Sequence, residues 1–132
     1  MSTLDAVREQ VERLADTIEA PPLYLPTYGR SEQSGRPHIE VSADGAMHWV
    51  VCERGSEFAR RTTLVRDELL YWIFDAITSE MASKWEVSHR NPDEDFRKQM
   101  FTKQFELLDL LRPNWAERRK KELGPLLREA GQ

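Results

Sequence analysis

The first twenty residues carry apolar side chains at helical spacing. Steps of three and four residues alternate, which places five apolar positions on one stripe: Leu4, Val7, Val11, Leu14 and Ile18. Pro21-Pro22 then ends the helix, because proline lacks the backbone donor and clashes with the preceding turn. The pattern predicts an N-terminal helix over 1–20. Its stripe packs on the rest of the domain or, alternatively, forms a short coiled-coil seam in a structural oligomerisation module.

The next part of the chain changes from a loop pattern to a strand pattern. Residues 21–37 are rich in Pro, Gly and Ser and have no apolar period, which predicts a loop. Alternating polarity follows, with a hairpin turn at Asp44-Gly45, where glycine tolerates a positive φ. The strands are predicted at 38–42, 47–54 and 57–62. Together they indicate a three-stranded antiparallel β-meander over 38–62.

The remainder of the chain, 63–130, has the pattern of three helices. The first contains six consecutive bulky apolar residues, 69–74, which no single helical face can hold. Tyr71 or Trp72 is therefore expected to point away from the main core stripe. Such an aromatic side chain is either an interface anchor or, as the favoured interpretation, part of a second internal packing face.

Prolines mark the boundaries of the last two helices. Pro92 in a first turn rich in acids predicts the start of one helix. The last helix is predicted from about Trp115 toward Leu127, with an interruption at Pro125. The predicted fold class is α+β, with the small meander packed against a helical body of one N-terminal and three C-terminal helices. We expect a single domain over 1–132.

Length and composition restrict the class of protein. A chain of 132 residues with 39% hydrophobic residues can bury the core of one domain. No apolar run approaches the ~20 residues of a membrane span, and the N-terminus lacks the pattern of a signal peptide. The only cysteine, Cys52, cannot form an internal disulfide. We therefore expect a cytoplasmic protein with no membrane partner.

The charge is unevenly distributed along the chain. Residues 1–52 hold four basic and eight acidic side chains, whereas 53–132 hold 15 of each sign and are rich in Arg. The most basic run, 118–121, is flanked by Glu117 and Glu122. Nucleic-acid binding would need an unbalanced basic stripe, so this class of partner is not favoured.

The clusters that catalysis or metal binding would need are sparse. His38, His48 and Cys52 could meet on neighbouring strands, but a buried thiol beside two surface histidines is favoured over a metal site. Cys52 has no flanking cation or helix N-terminus to activate it as a nucleophile. No phosphate-binding loop and no nucleophile elbow is present. We predict no catalytic residue, no metal and no cofactor.

One polar group at a break between two helices has two interpretations. His89, Arg90 and Asp95 could perform acid–base chemistry, which would make the chain a small hydrolase or nuclease. The spacing of Glu86 and Arg90, four residues apart, instead favours a salt-bridge cluster at the helix ends.

The predicted second turn is surrounded by long charged side chains. Arg60 and Arg61 face opposite sides of the third strand, so one of them lies toward the core. That guanidinium needs a carboxylate partner, because an unpaired buried charge is costly. The candidates are Glu53, Glu57 and Asp67.

Several motifs together resemble the bacterial immunity protein family numbered sixty-three. The motifs are Glu53-Arg54-Gly55 with Glu57, Arg60-Arg61-Thr62-Thr63, the string from Asp67 to Phe74, His89-Arg90, Asp95-Phe96-Arg97, Phe101, Gln104, Leu107-Leu108 and Trp115. The resemblance covers roughly 37–124. Members of this family are small cytoplasmic antidotes encoded beside polymorphic toxins.

The resemblance implies an interaction protein without catalytic machinery. It would bind and block a cognate toxin by non-covalent contacts, with self-association left open. The candidate toxin-binding residues are Glu53, Arg54, Glu57, Arg60, Arg61, Tyr71, Trp72, His89, Arg90, Asp95 and Arg97. For Asp95 and Arg97 a place in the internal polar network is favoured over a direct contact.

Overall fold

A computed structural model describes residues 2–29 and 33–130, without the side chains of 127–130. Residues 30–32 of the predicted loop lie outside the described residues. The described residues form an α+β fold with four α-helices and a four-stranded mixed sheet. Its elements are α1 (Thr3–Thr17), a 3₁₀ turn (Pro22–Tyr24), β1 (Thr27–Tyr28), β2 (Ser34–Val41), β3 (Met47–Glu53), β4 (Ser56–Thr63), α2 (Arg66–Ser88), α3 (Phe96–Leu111) and α4 (Pro113–Ala130).

The chain divides into two compact units, residues 1–74 and 75–132. The boundary falls inside α2. The first unit holds α1, the sheet and the beginning of α2, and the second holds the rest of α2 with α3 and α4. The single domain over 1–132 stays a prediction.

Helix α1 begins with reciprocal capping and buries the predicted stripe. The Ser2 hydroxyl accepts from the Asp5 backbone N–H at 3.1 Å, and the Asp5 carboxylate accepts from the Ser2 backbone N–H. Val7 and Val11 are fully buried, and Ile18 is buried as well. The chain itself therefore covers this stripe, which favours internal packing over an exposed coiled-coil seam.

The sheet contains one strand more than the predicted meander. Strands β2, β3 and β4 are antiparallel neighbours as expected, but β1 adds to β2 in parallel, so the order is β1-β2-β3-β4. The prediction of a purely antiparallel, three-stranded sheet is therefore wrong. A strand of two residues, Thr27–Tyr28, is too short to show alternation, and it lies within the stretch predicted as loop.

The strand register sorts side chains onto two faces of the sheet. Ile39 of β2 and Arg61 of β4 are both partners of Trp49 in β3, so these three side chains share one face, called here the Ile39 face. His38 and Arg60 belong to the next row and lie on the opposite face, called here the His38 face. Ile39 is fully buried and His38 is nearly so.

The last two helices differ from the prediction at their boundaries. Helix α3 begins after Asp95, whose carboxylate accepts from the Arg97 backbone N–H at 2.8 Å, and Pro92 precedes it in a turn. Helix α4 begins at Pro113 and continues through Pro125. The predicted interruption is wrong, because one proline removes a single backbone hydrogen bond and the rest of the helix keeps its own.

The core of the second unit includes residues from both long terminal helices. Leu107 and Leu108 of α3 are buried, as are Trp115 and Leu123 of α4. Among the described residues, no helix has both the length and the hydropathy that a bilayer span requires.

Candidate functional site

The turn between β3 and β4 is a two-residue hairpin loop. Glu53 pairs with Ser56 across it, and Arg54 and Gly55 both have positive φ values, 52° and 81°. Two successive positive φ values match a type I′ turn, in which glycine at the second position avoids strain. Gln33 supports the loop, since its carbonyl accepts from Arg54 N at 3.2 Å. The turn leaves the side chains of Glu53 and Arg54 exposed.

Arg60 is the centre of a polar network on the His38 face. Its guanidinium donates to Glu57 at 2.8 Å and contacts Glu40 at 3.5 Å. His38 Nε2 donates to Glu40 at 2.5 Å. Glu57 is one of the three carboxylates expected as partners for a core-facing arginine, and it pairs with Arg60. Arg60 and Arg61 are both exposed, so the expectation that one of them lies toward the core is wrong. The sequence analysis did not name Glu40 as a partner of Arg60, because Glu40 lies on β2 and only the strand register brings it near β4. The one sequence signal for Glu40 was its position two residues from His38.

The same contacts determine the ionisation of the carboxylates. The hydrogen bond from His38 lowers the pKa of Glu40, against the opposing effect of burial and with help from Arg60. The hydrogen bond from Arg60 likewise lowers the pKa of Glu57. Both carboxylates are therefore held in the charged form, which keeps the network ionic at neutral pH.

Replacing Glu40 with Gln is expected to reduce the acid sensitivity of folding. The folded-state pKa of Glu40 lies below its ordinary value of 4.5. Its ionised form therefore stabilises the fold above that pH, and this contribution is lost as the pH falls through the folded-state pKa. Urea unfolding should show wild type more stable than Glu40→Gln at neutral pH, and the difference should shrink as the pH falls through the lowered pKa of Glu40.

Glu53→Gln is the matched control for this measurement. The Glu53 side chain makes no hydrogen bond or ion pair with residues 2–29 or 33–130. At neutral pH its variant should unfold at nearly the same urea concentration as wild type, since the substitution removes none of the described contacts. A Glu40→Gln difference that persists undiminished in acid would contradict the expected role of the His38–Glu40 bond.

The two strand histidines are both engaged by neighbouring side chains. Hydrogen bonds join His48 Nδ1 to Thr62 at 2.8 Å and His48 Nε2 to Ser42 at 2.6 Å. His38 lies opposite Val50, and its Nε2 is bonded to Glu40. Among the described residues, no three His, Cys, Asp or Glu side chains are arranged to hold a metal ion.

Arg61 takes a different position from Arg60. Its guanidinium lies 4.5 Å from the ring centroid of Trp72, in cation–π contact on the Ile39 face. Tyr71 and Trp72 are only 2% and 8% exposed. Neither is an exposed anchor, so the internal-packing alternative is the correct one.

The helix-end residues each pair with a local neighbour. Arg90 donates twice to Glu86, at 2.8 and 3.0 Å, and this hydrogen bonding lowers the pKa of the Glu86 carboxyl. His89 stacks on Trp85 with ring centroids 4.7 Å apart. These contacts follow the i,i+4 spacing of α2, as the salt-bridge interpretation of the cluster requires.

Asp95 and Arg97 form the other local pair. The Asp95 carboxylate caps α3 and accepts from the Arg97 side chain at 3.4 Å, and these hydrogen bonds lower its pKa. Their contact agrees with the internal role favoured for both. A cleft of about 220 Å³ in the second unit is lined by Trp85, Glu94 and side chains of α3, and its lining does not include His89, Arg90 or Asp95.

A buried polar network in the second unit accounts for one motif residue. Gln104 is buried and its amide nitrogen donates to Asp75 Oδ1 at 2.9 Å and to Thr78 Oγ1 at 3.1 Å. Arg119 forms an ion pair with Asp75 at 3.1 Å. Gln104 therefore has a structural role, joining α3 to α2. Sequence spacing could not find these partners, since they lie 26 and 29 residues away.

Comparison with known proteins identifies one similarity. The family model described as Immunity protein 63 matches residues 43–124, more than half of the chain. All eleven candidate residues fall within this range, whereas α1, β1 and β2 precede it. No curated protein and no solved structure matches the chain.

Proposed function

This chain belongs to the immunity protein 63 family, and from that premise we propose that it neutralises a cognate bacterial toxin by binding it non-covalently. The family match is the observation that carries the proposal. It assigns an immunity function in general. The partner, a toxin of a polymorphic system, and the cytoplasm as the place of action belong to the proposal.

We propose further that protection requires no catalysis by this chain. In support, the residues of the alternative hydrolase or nuclease site are engaged in local structure. Arg90 is paired with Glu86, His89 is stacked on Trp85, and Asp95 caps α3. An inhibitor needs no reacting group, since it acts by covering an active site or an essential surface of its target.

The exposed charges of the β3–β4 hairpin are the best candidates for the toxin contact in the first unit. Glu53 and Arg54 project from its turn, and Glu57, Arg60 and Arg61 follow on β4. Charged side chains of this kind steer association and determine which partner fits. In the second unit, His89 and Arg90 are the exposed candidates.

Co-expression with the toxin encoded beside this gene is expected to restore growth. Cells producing the toxin with this chain should form colonies as well as cells without the toxin, and the two proteins should co-purify. A plasmid with an early stop codon in this gene is the control. A non-toxic neighbour, or a chain that neither rescues growth nor co-purifies, would refute the proposal.

The His89→Ala variant separates inhibition from catalysis in the same assay. For a non-covalent inhibitor, rescue should follow the amount of complex, so any variant that still co-purifies with the toxin should still protect. An enzyme that used His89 would lose protection while the protein remained folded and bound. That second result would favour the hydrolase or nuclease alternative.

A further inference from the structure

Strand β4 forms an open edge of the sheet. It lies at the end of the strand order and pairs with β3 alone among the described strands. With eight residues, Ser56–Thr63, it is far longer than β1 at the other end. The outward backbone N–H and C=O groups of such an edge can pair with an added strand.

Three large apolar side chains accompany this edge. Phe58, Leu64 and Val65 are 67%, 73% and 60% exposed. The ladder shifts register between Val51 and Cys52, where β4 carries the extra residue Phe58 opposite β3. Such a bulge redirects the side chain at its centre. Apolar contacts are therefore available toward both ends of the strand, near the turn and just before α2.

The guanidinium of Arg61 indicates which chemical group a partner of this edge should carry. Its guanidinium is held against the Trp72 ring and makes no hydrogen bond or ion pair with the described part of the chain. Arg60 differs, since Glu57 and Glu40 already neutralise it. The planar guanidinium presents its N–H donors as a fork, and this fork fits a carboxylate.

We propose that the outer edge of β4 accepts an extended segment of the cognate toxin as a fifth strand, with an Asp or Glu side chain opposite Arg61. This inference rests on the proposed function and specifies its contact. Side chains directly opposite in neighbouring strands have Cβ atoms about 5 Å apart, so a carboxylate at that position reaches the guanidinium.

A second copy of this chain fits the edge less well than the toxin does. Residues 56–63 contain a single carboxylate, Glu57, and it is bonded to Arg60. Pairing β4 with itself would bring two more arginines to the edge and no available anion. In the proposed complex, the toxin segment supplies the carboxylate that pairs with Arg61.

Residue-resolved amide hydrogen exchange tests the backbone part of the proposal. The full chain is measured alone and with an inactive form of the neighbouring toxin, selected for loss of toxicity. Inward amides of β4 are already protected by β3, so binding should slow exchange at every second residue between 59 and 63, beyond the bulge at Phe58, by about tenfold or more. An interface made only by side chains would not produce this alternation.

Charge reversal tests the side-chain part. Arg61→Glu should weaken toxin binding by about 100-fold or more, measured by calorimetry, because it sets two like charges opposite each other. Changing the opposing toxin carboxylate to Lys should restore the affinity.

Lys84→Glu, a charge reversal at an exposed position on α2, is the control and should change binding less than about threefold. Arg61→Lys, which keeps the charge and loses the fork, should fall between them, and urea unfolding of each variant checks that it is folded.

The outcomes separate this inference from the proposed function. Binding by the wild-type chain without alternating protection on β4, or with full affinity in Arg61→Glu, would overturn the fifth-strand proposal and leave the immunity function standing. Alternating protection of β4 in the free chain, together with a dimer mass, would assign the edge to a second copy and also overturn it. A wild-type chain that does not bind the toxin would refute both the proposed function and the fifth-strand inference.

Discussion

Replacing Trp115 with Ala should lower the free energy of unfolding by about 3–5 kcal/mol. Trp115 is 1% exposed in the core of the second unit, and the Arg112 guanidinium lies 5.0 Å from its ring. The substitution removes the largest side chain of that core and leaves a cavity that the helices can fill only in part. Urea unfolding followed by circular dichroism measures the loss.

Leu110→Ala is the matched control for Trp115→Ala. Leu110 lies on α3 of the same unit but is exposed, so its truncation should cost less than about 0.5 kcal/mol. Trp115→Phe should recover part of the lost stability, since it refills part of the cavity. A Trp115→Ala loss as small as that of Leu110→Ala would mean that the side chain is not packed as described.

Replacing Ile39 with Ala should cost about 2–5 kcal/mol in the first unit. Ile39 is fully buried on β2, in the same row of the sheet as Trp49 and Arg61. Leu23→Ala is the control, since Leu23 is exposed in the 3₁₀ turn of the same unit. An Ile39→Ala variant as stable as Leu23→Ala would contradict the burial of this row.

The two core variants together test whether the chain is one domain. In a single cooperative domain, Ile39→Ala and Trp115→Ala should each lower the midpoint of one transition that residues in both units report. Residue-resolved unfolding by NMR distinguishes this result from two separate transitions. Two transitions, each moved by only one variant, would divide the chain near residue 75.

Local patterns predicted most of the elements and few of the contacts. The stripe of α1 and the alternation of β2 and β3 are properties of neighbouring residues, so period and turn chemistry were enough to find them. Strand β1 was not predicted, because two residues are too few to show an alternating pattern. The start of α3 was misplaced because Pro92 resembles a first helical position, whereas the capping carboxylate of Asp95 begins the helix.

The candidate site was predicted as a set of residue types, without their partners. The charges around the hairpin were found from their density, and Glu57 was one of three carboxylates expected as a partner for a core-facing arginine. Glu40 lies 20 residues from Arg60, so its contact depends on the strand register. Among described residues, Arg61 makes neither hydrogen bond nor ion pair, and nothing in the spacing of Arg60-Arg61 indicates that difference.

The amino-acid pattern of this chain is sufficient for its α+β class, for the three antiparallel strands and for membership of an immunity protein family. Those properties follow from short-range periodicity and from motifs, both of which involve residues close together in the sequence. The roles of Arg60, Arg61 and Trp72 depend on which strands and helices become neighbours. Long-range packing buried an aromatic residue that the pattern allowed to be exposed, and left beside it a guanidinium whose described contacts include no anion.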